Sequence, residues 1–167
     1  MLTGFRGGGL SLLLCLTTLA CTDIMPDARA EDAVMTATVD GKPWAASFAQ
    51  GTTLDVGGKP VLNLSGTQQG SPTMTFNAML ALKKPGDYVG AYQFGGGFPG
   101  NAGNFNILDS GAMVGHVRFK TGEVVIDKYD AATNTVSGHF SASGKDDDGK
   151  ESVVKDGAFS GILVGPQ

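Results

Sequence analysis

The most specific chemistry in this chain belongs to Cys21, which follows Leu19-Ala20 at the close of an apolar run containing Leu12-Leu13-Leu14-Cys15-Leu16. A small residue directly before a cysteine at the end of a secretion signal marks lipoprotein processing. The thiol takes a diacylglycerol through a thioether, and the amine freed by cleavage is then acylated. Thr18 departs from the pattern, since it holds the place usually taken by Leu, with Leu19 one position later. The chain has two cysteines, and Cys15 falls inside the signal, so the mature protein would keep Cys21 alone. A lone thiol cannot form an internal disulfide, and conversion to a thioether removes the hazard of mixed disulfides in an oxidising compartment. Each buried acyl methylene contributes about 0.8 kcal/mol, so several long chains suffice as an anchor without a basic patch.

Other residues that carry chemistry are sparse. His116 and His139 are the two histidines, each on the polar side of its run, without a His-x-His or His-x-x-x-His spacing or further ligands for a metal site. They read as surface imidazoles. Lys145-Asp146-Asp147-Asp148-Gly149-Lys150-Glu151 gathers carboxylates of the kind that hold calcium, but the spacing is not that of an EF-hand, and the segment reads as a charged hairpin turn. No serine stands in a Gly-x-Ser-x-Gly elbow. The sequence therefore predicts neither cofactor nor metal and nominates no catalytic residue.

The segment Phe94-Gly95-Gly96-Gly97-Phe98-Pro99-Gly100-Asn101-Ala102-Gly103-Asn104-Phe105 is the best candidate for contact with a ligand. Glycine lets a backbone come close to a bound group, and Phe98 has little around it to bury its ring. Phe98 and Asn101, with Tyr88 and Tyr92 on the neighbouring edge, are the expected ligand-binding residues. A mobile connection whose Phe folds back on the domain is the alternative. No Gly-Lys-Ser or Gly-Lys-Thr follows, so it is not a phosphate loop.

The elements that position these residues read as strands. Residues 1–20 form the signal, with Arg6 near its start and an apolar stretch of about ten residues, too short to cross a bilayer. Residues 21–33 form a tether carrying Asp23, Asp27, Glu31 and Asp32. Residues 34–167 form one domain. Of the 167 residues, losing the first 20 leaves 147, enough for a core without disulfide or metal. Removal of Arg6 leaves eleven basic residues against sixteen acids, a net charge of −5, which disfavours nucleic acid as a partner.

Met35-Thr36-Ala37-Thr38-Val39 alternates, Asp40-Gly41 supplies a two-residue turn, and Trp44-Ala45-Ala46-Ser47-Phe48 returns with its large side chains on one face. Residues 73–82 alternate up to the turn Lys83-Lys84-Pro85-Gly86, and residues 136–143 alternate again. Shorter runs at 61–65, 88–94, 105–108, 113–119, 123–129, 151–154 and 158–164 bring the count to about ten strands, with no helical periodicity. The expected fold is all-β, either an antiparallel sandwich or a closed barrel.

The opening run Met35 to Ala46, together with Ile126-Asp127-Lys128-Tyr129-Asp130, Val136-Ser137-Gly138-His139-Phe140-Ser141-Ala142 and Lys155-Asp156-Gly157-Ala158-Phe159-Ser160-Gly161, resembles a family of small, uncharacterised Gram-negative envelope lipoproteins of Bacteroidota type. The resemblance covers both ends of the domain and little of its middle. It implies an envelope address, a membrane partner through the lipid and a β architecture, but no activity. With Thr22 after the cysteine carrying no retention charge, the outer membrane is the expected location. A non-enzymatic module contacting a glycan, peptide or envelope protein is the leading expectation. A lipocalin-like carrier of a small apolar ligand or lipid comes next, and an envelope hydrolase third.

Overall fold

The computed structural model describes residues 34–96 and 100–166. Ten strands account for most of them: β1 (Val34–Val39), β2 (Lys42–Ala45), β3 (Phe48–Val56), β4 (Lys59–Gln68), β5 (Thr73–Ala81), β6 (Gly90–Gln93), β7 (Ala102–Asp109), β8 (Ala112–Asp130), β9 (Thr135–Lys145) and β10 (Glu151–Pro166). The order β10-β3-β4-β5-β7-β8 is closed by β9, which pairs with both β8 and β10. The all-β expectation therefore holds, and the sheet closes on itself like a barrel.

The neighbours in this ring are antiparallel except at one seam, where Val164–Pro166 of β10 runs parallel to Gly51–Thr53 of β3. The seam is tied by Thr53 Oγ1 donating to the Gly165 carbonyl at 3.2 Å, while Val164 N donates at 2.9 Å to the carbonyl of Asn134 in the turn before β9. The β1–β2 hairpin extends the wall beside β10 ahead of the seam, with Met35 opposite Phe159 and its inward side chains in the core. β6 takes over beside the second half of β8, where β7 has left it.

The Asp40-Gly41 turn forms as its residue types require. Both residues have positive φ, 50° and 78°, the geometry of the tight hairpin turn favoured by Asp-Gly. The returning strand is shorter than the sequence predicts. β2 ends at Ala45, and Phe48 belongs to β3, which pairs with β4 from Phe48↔Thr67 to Val56↔Lys59. Trp44 is buried while Phe48 is 57% exposed, so the two rings do not share a face.

Two glycine-containing breaks predicted between strands are bulges within single strands. Residues 113–119 and 123–129 belong to β8, where the register against β9 shifts between Phe119 and Thr121 and Gly122 has φ +109°. Residues 151–154 and 158–164 belong to β10, which shifts register between Val154 and Gly157 with Asp156 at φ +52°. An unpaired residue bends a strand and increases its twist, which allows these long strands to follow a closed wall. Sequence patterning registers the interruption; only the pairing partner shows that the strand continues.

Side chains fill the interior. Phe76 stacks on Phe140 with ring centroids 4.4 Å apart and meets Phe119 at 5.8 Å, while Phe140 extends the series to Phe159 at 6.4 Å. Leu62, Leu64, Leu80, Val124, Val136 and Ile162 are fully buried around these rings. The barrel is packed through, in the manner of small barrels whose inward positions interdigitate.

Candidate functional site

At the end of the barrel marked by the Asp40-Gly41 turn, the wall opens into a cleft of about 650 Å³. β2 causes the opening: it is only four residues long and pairs on one side with β1 alone. Among the described residues its other edge bears no strand. Ala46 N donates to the Met35 carbonyl at 2.8 Å, so the alternate residues Ala45 and Pro43 turn their backbone groups toward the free edge. A proline there has no N–H to offer a pairing strand, and Lys42 adds charge, two features that protect a sheet edge.

The floor of the cleft is apolar, built from Trp44 on β2, Met74 on β5, Phe105 and Ile107 on β7, and Val117 on β8. Trp44 and Phe105 pack edge to face with centroids 5.5 Å apart and planes at 71°. Val114, which is 62% exposed, forms part of the lip, and Met113 beside it is 60% exposed. The rim is charged and carries Asp40, Lys42, Asp146, Lys150 and Glu151, three acids against two lysines. Among the described residues, Trp44 Nε1 is the one buried side-chain nitrogen or oxygen without a hydrogen-bond partner.

The rim is held by its own hydrogen bonds. Asp40 accepts from Ser152 Oγ at 2.9 Å and from Val153 N at 2.8 Å, joining the first hairpin to the start of β10. Across the turn, Asp146 Oδ1 accepts from Lys150 N at 2.7 Å, and Gly149 has φ +82°. Residues 145–151 thus form the charged hairpin turn expected of them, with Lys145 opposite Glu151. No group of three or more potential metal ligands occurs among the described residues.

The residues proposed from sequence lie elsewhere. Tyr88 and Tyr92 are buried in the core, each 8% exposed. Tyr92 donates its hydroxyl to the Tyr88 carbonyl at 2.7 Å, and the Tyr88 ring packs on Tyr129 at 4.8 Å. Burial pushes the pKa of both phenols up, aided by Tyr129 beside Tyr88 and by Asp87 near Tyr92. These rings stabilise the barrel rather than present a surface. Asn101 is a strap: its Oδ1 accepts from Ala81 N at 2.9 Å and its Nδ2 donates to the Gln93 carbonyl at 3.2 Å. Phe98 and Cys21 lie outside the described residues, as do the signal and the tether.

The two histidines do not meet. His139 stands opposite Val125 on β8 and contacts Asp127 Oδ2 at 2.9 Å. His116 stands opposite Asn106 on β7. Its Nδ1 lies 2.6 Å from Asn106 Oδ1 and its Nε2 accepts from Arg118 Nε at 3.2 Å, while Asn104 Nδ2 also donates to Asn106 Oδ1 at 2.8 Å. Since Arg118 donates to Nε2, the proton of the neutral ring sits on Nδ1. This is a polar ladder on the outer wall beside Asn101.

The model of a family described as a domain of unknown function (DUF6252) matches residues 31–163. The chain belongs to this family. No curated protein and no solved structure matches it. The DUF6252 match takes in β1 to β9 and β10 as far as Leu163, leaving out the last residues of the seam with β3, and every residue of the cleft falls within it. Sequence reading missed this cleft because it joins β2, β5, β7, β8 and the β9–β10 turn, which no local pattern brings together. The one available signal was an isolated Trp beside a Lys-Pro pair, the composition of a short edge strand over a core.

Proposed function

We propose that this chain is a lipid-anchored protein of the cell envelope that binds a ligand, without catalysis, in the cleft at the Asp40 end of its barrel. Cys21 carries the anchor to the outer membrane, and residues 21–33 are the tether. The observation that carries the reading is the cleft itself: its volume falls in the range of about 300–1,000 Å³ usual for small-molecule sites, and its apolar floor lies under a polar rim. β1 runs from Val34 toward the rim at Asp40, so the tether joins the barrel about 17 Å short of the cleft. Thirteen tether residues reach at most about 45 Å, which leaves the cleft free to face away from the bilayer. The filled interior favours a ligand held at the mouth over a lipocalin-like lumen.

Native mass spectrometry of protein isolated from its own host tests both parts. The covalent mass should include the acyl chains on Cys21, and Cys21→Ser should abolish them. A non-covalent adduct should accompany the wild-type chain and be absent from Val114→Arg, which puts a charge on the lip at an exposed position. A mature chain with no acyl mass would overturn the anchor. An adduct retained by Val114→Arg, or none on the wild type, would overturn the cleft as the binding site.

A further inference from the structure

We infer that Arg118 is the centre of a second binding site, a groove on the outer wall across β7 and β8 that receives an oxyanion, either a carboxylate or a phosphate group. The groove measures about 340 Å³, within the span of about 300–1,000 Å³ usual for small-molecule sites, and it shares no lining residue with the cleft at the Asp40 end. The inference is therefore independent of the cleft. Asn104 of β7 and His116, Arg118 and Lys120 of β8 line the groove, and Arg118 and Lys120 are exposed. Val117 and Phe119 are buried in the core, so His116 and Arg118, which alternate with them, face outward.

Charge selects an anion. Among the described residues no acid lines the groove, and the side-chain ion pairs are Lys128 with Asp130 and His139 with Asp127. Asp146, Asp147 and Asp148 belong to a separate recess that has His116 alone in common with it. Arg118 stands directly opposite Lys145 on β9, and like charges so placed destabilise a sheet. Glu151, opposite Lys145 on β10, answers one of those charges. Arg118 and Lys120 remain as two cations without a carboxylate beside them, on a chain whose net charge is −4. The register shift between Phe119 and Thr121 leaves Lys120 with no residue opposite it on β9, an irregularity of the kind that re-aims side chains beside binding sites.

Arg118 is also held in position. His116 Nδ1 lies 2.6 Å from Asn106 Oδ1, which fixes the ring, and His116 Nε2 accepts from Arg118 Nε at 3.2 Å. That bond uses one of the five guanidinium N–H groups and leaves the four on Nη1 and Nη2, the end of the fork that takes two oxygens at once. A fork steadied before the ligand arrives gives up less freedom on binding.

Glucose 6-phosphate, glucuronate and glucose share a ring and differ in charge, and each would be titrated into the full chain with the arginine Nε–H signals followed by ¹H–¹⁵N correlation. The Arg118 signal is the one lost in Arg118→Lys. Both anions should move it and bind at least about tenfold more tightly than glucose, the worth of a charge-assisted bond, while the single indole signal of Trp44 stays in place. Either order of the two anions supports the site, and the tighter one tells phosphate from carboxylate. Arg118→Lys keeps the charge and removes the fork, so both affinities should fall about tenfold with the melting temperature unchanged. Lys120→Gln keeps the fork and should cost about threefold. Anions bound no better than glucose, or an affinity unaltered in Arg118→Lys, would overturn the inference. Anion binding that moves the indole and leaves the Arg118 signal unmoved would overturn it as well and would place the anion in the cleft.

Discussion

The carboxylate of Asp40 and the hydroxyl of Ser152 meet at 2.9 Å although 112 residues separate them in the chain. With the adjoining bond to Val153 N, this contact fixes the β1–β2 hairpin to the start of β10 and sets the position of the cleft rim. Asp40 also adopts φ 50°, which aspartate tolerates better than alanine. Asp40→Ala should therefore lower stability by about 1–3 kcal/mol, through two lost hydrogen bonds and a strained turn. Urea unfolding measures the loss. Hydrogen exchange should show faster opening of residues 36–45 than of β4 and β5.

Two glycines of the wall should respond differently to the same methyl group. A Cβ at Gly138 would stand 2.0 Å from the Val125 carbonyl oxygen, which is backbone and cannot move aside. At Gly66 the nearest atom would be Met35 Sδ at 2.4 Å, near the end of a flexible side chain, followed by Trp44 Cη2 at 3.0 Å. Gly138→Ala should cost about 3 kcal/mol or more and Gly66→Ala about 1–2 kcal/mol. Denaturant midpoints for the pair check the order, and a Gly138→Ala protein as stable as Gly66→Ala would contradict the register of β9 on β8.

Tyr88 and Tyr92 hold their protons above the ordinary phenol value of 10.0, because burial disfavours the charged form. The unfolded chain ionises first as pH rises, so unfolding releases protons above about pH 10. Their contribution to stability is complete below that value and is lost as pH climbs through the raised values. Urea midpoints should fall steeply beyond pH 10, and Tyr92→Phe should flatten that fall. An unchanged slope in the variant would mean that Tyr92 ionises freely in the folded protein.

Local patterning made the strand content legible because one-sided burial imposes a period of two. Asp40-Gly41 announced its turn for a steric reason that needs no tertiary context. The same logic misassigned Asp156-Gly157 and Thr121-Gly122, where positive φ serves a bulge inside β10 and β8 and the decisive fact is the pairing with β9. Tyr88 and Tyr92 were expected to bind a ligand from the edge beside the glycine-rich segment, where no local pattern shows what covers them. The ring of Tyr129, 41 residues from Tyr88, covers one of them. The cleft was illegible for the same reason: Trp44 and Phe105 come together only when β2 is laid across the end of the barrel.

The cleft over Trp44 admits an apolar ligand, and the lone indole reports on its occupancy directly. Titration with the neutral fluorophore N-phenyl-1-naphthylamine, exciting the indole, should give saturable energy transfer at one probe per chain and lose it in Val114→Arg with the melting temperature unchanged. Transfer that fails to saturate, or that persists unaltered in the folded variant, would contradict the account.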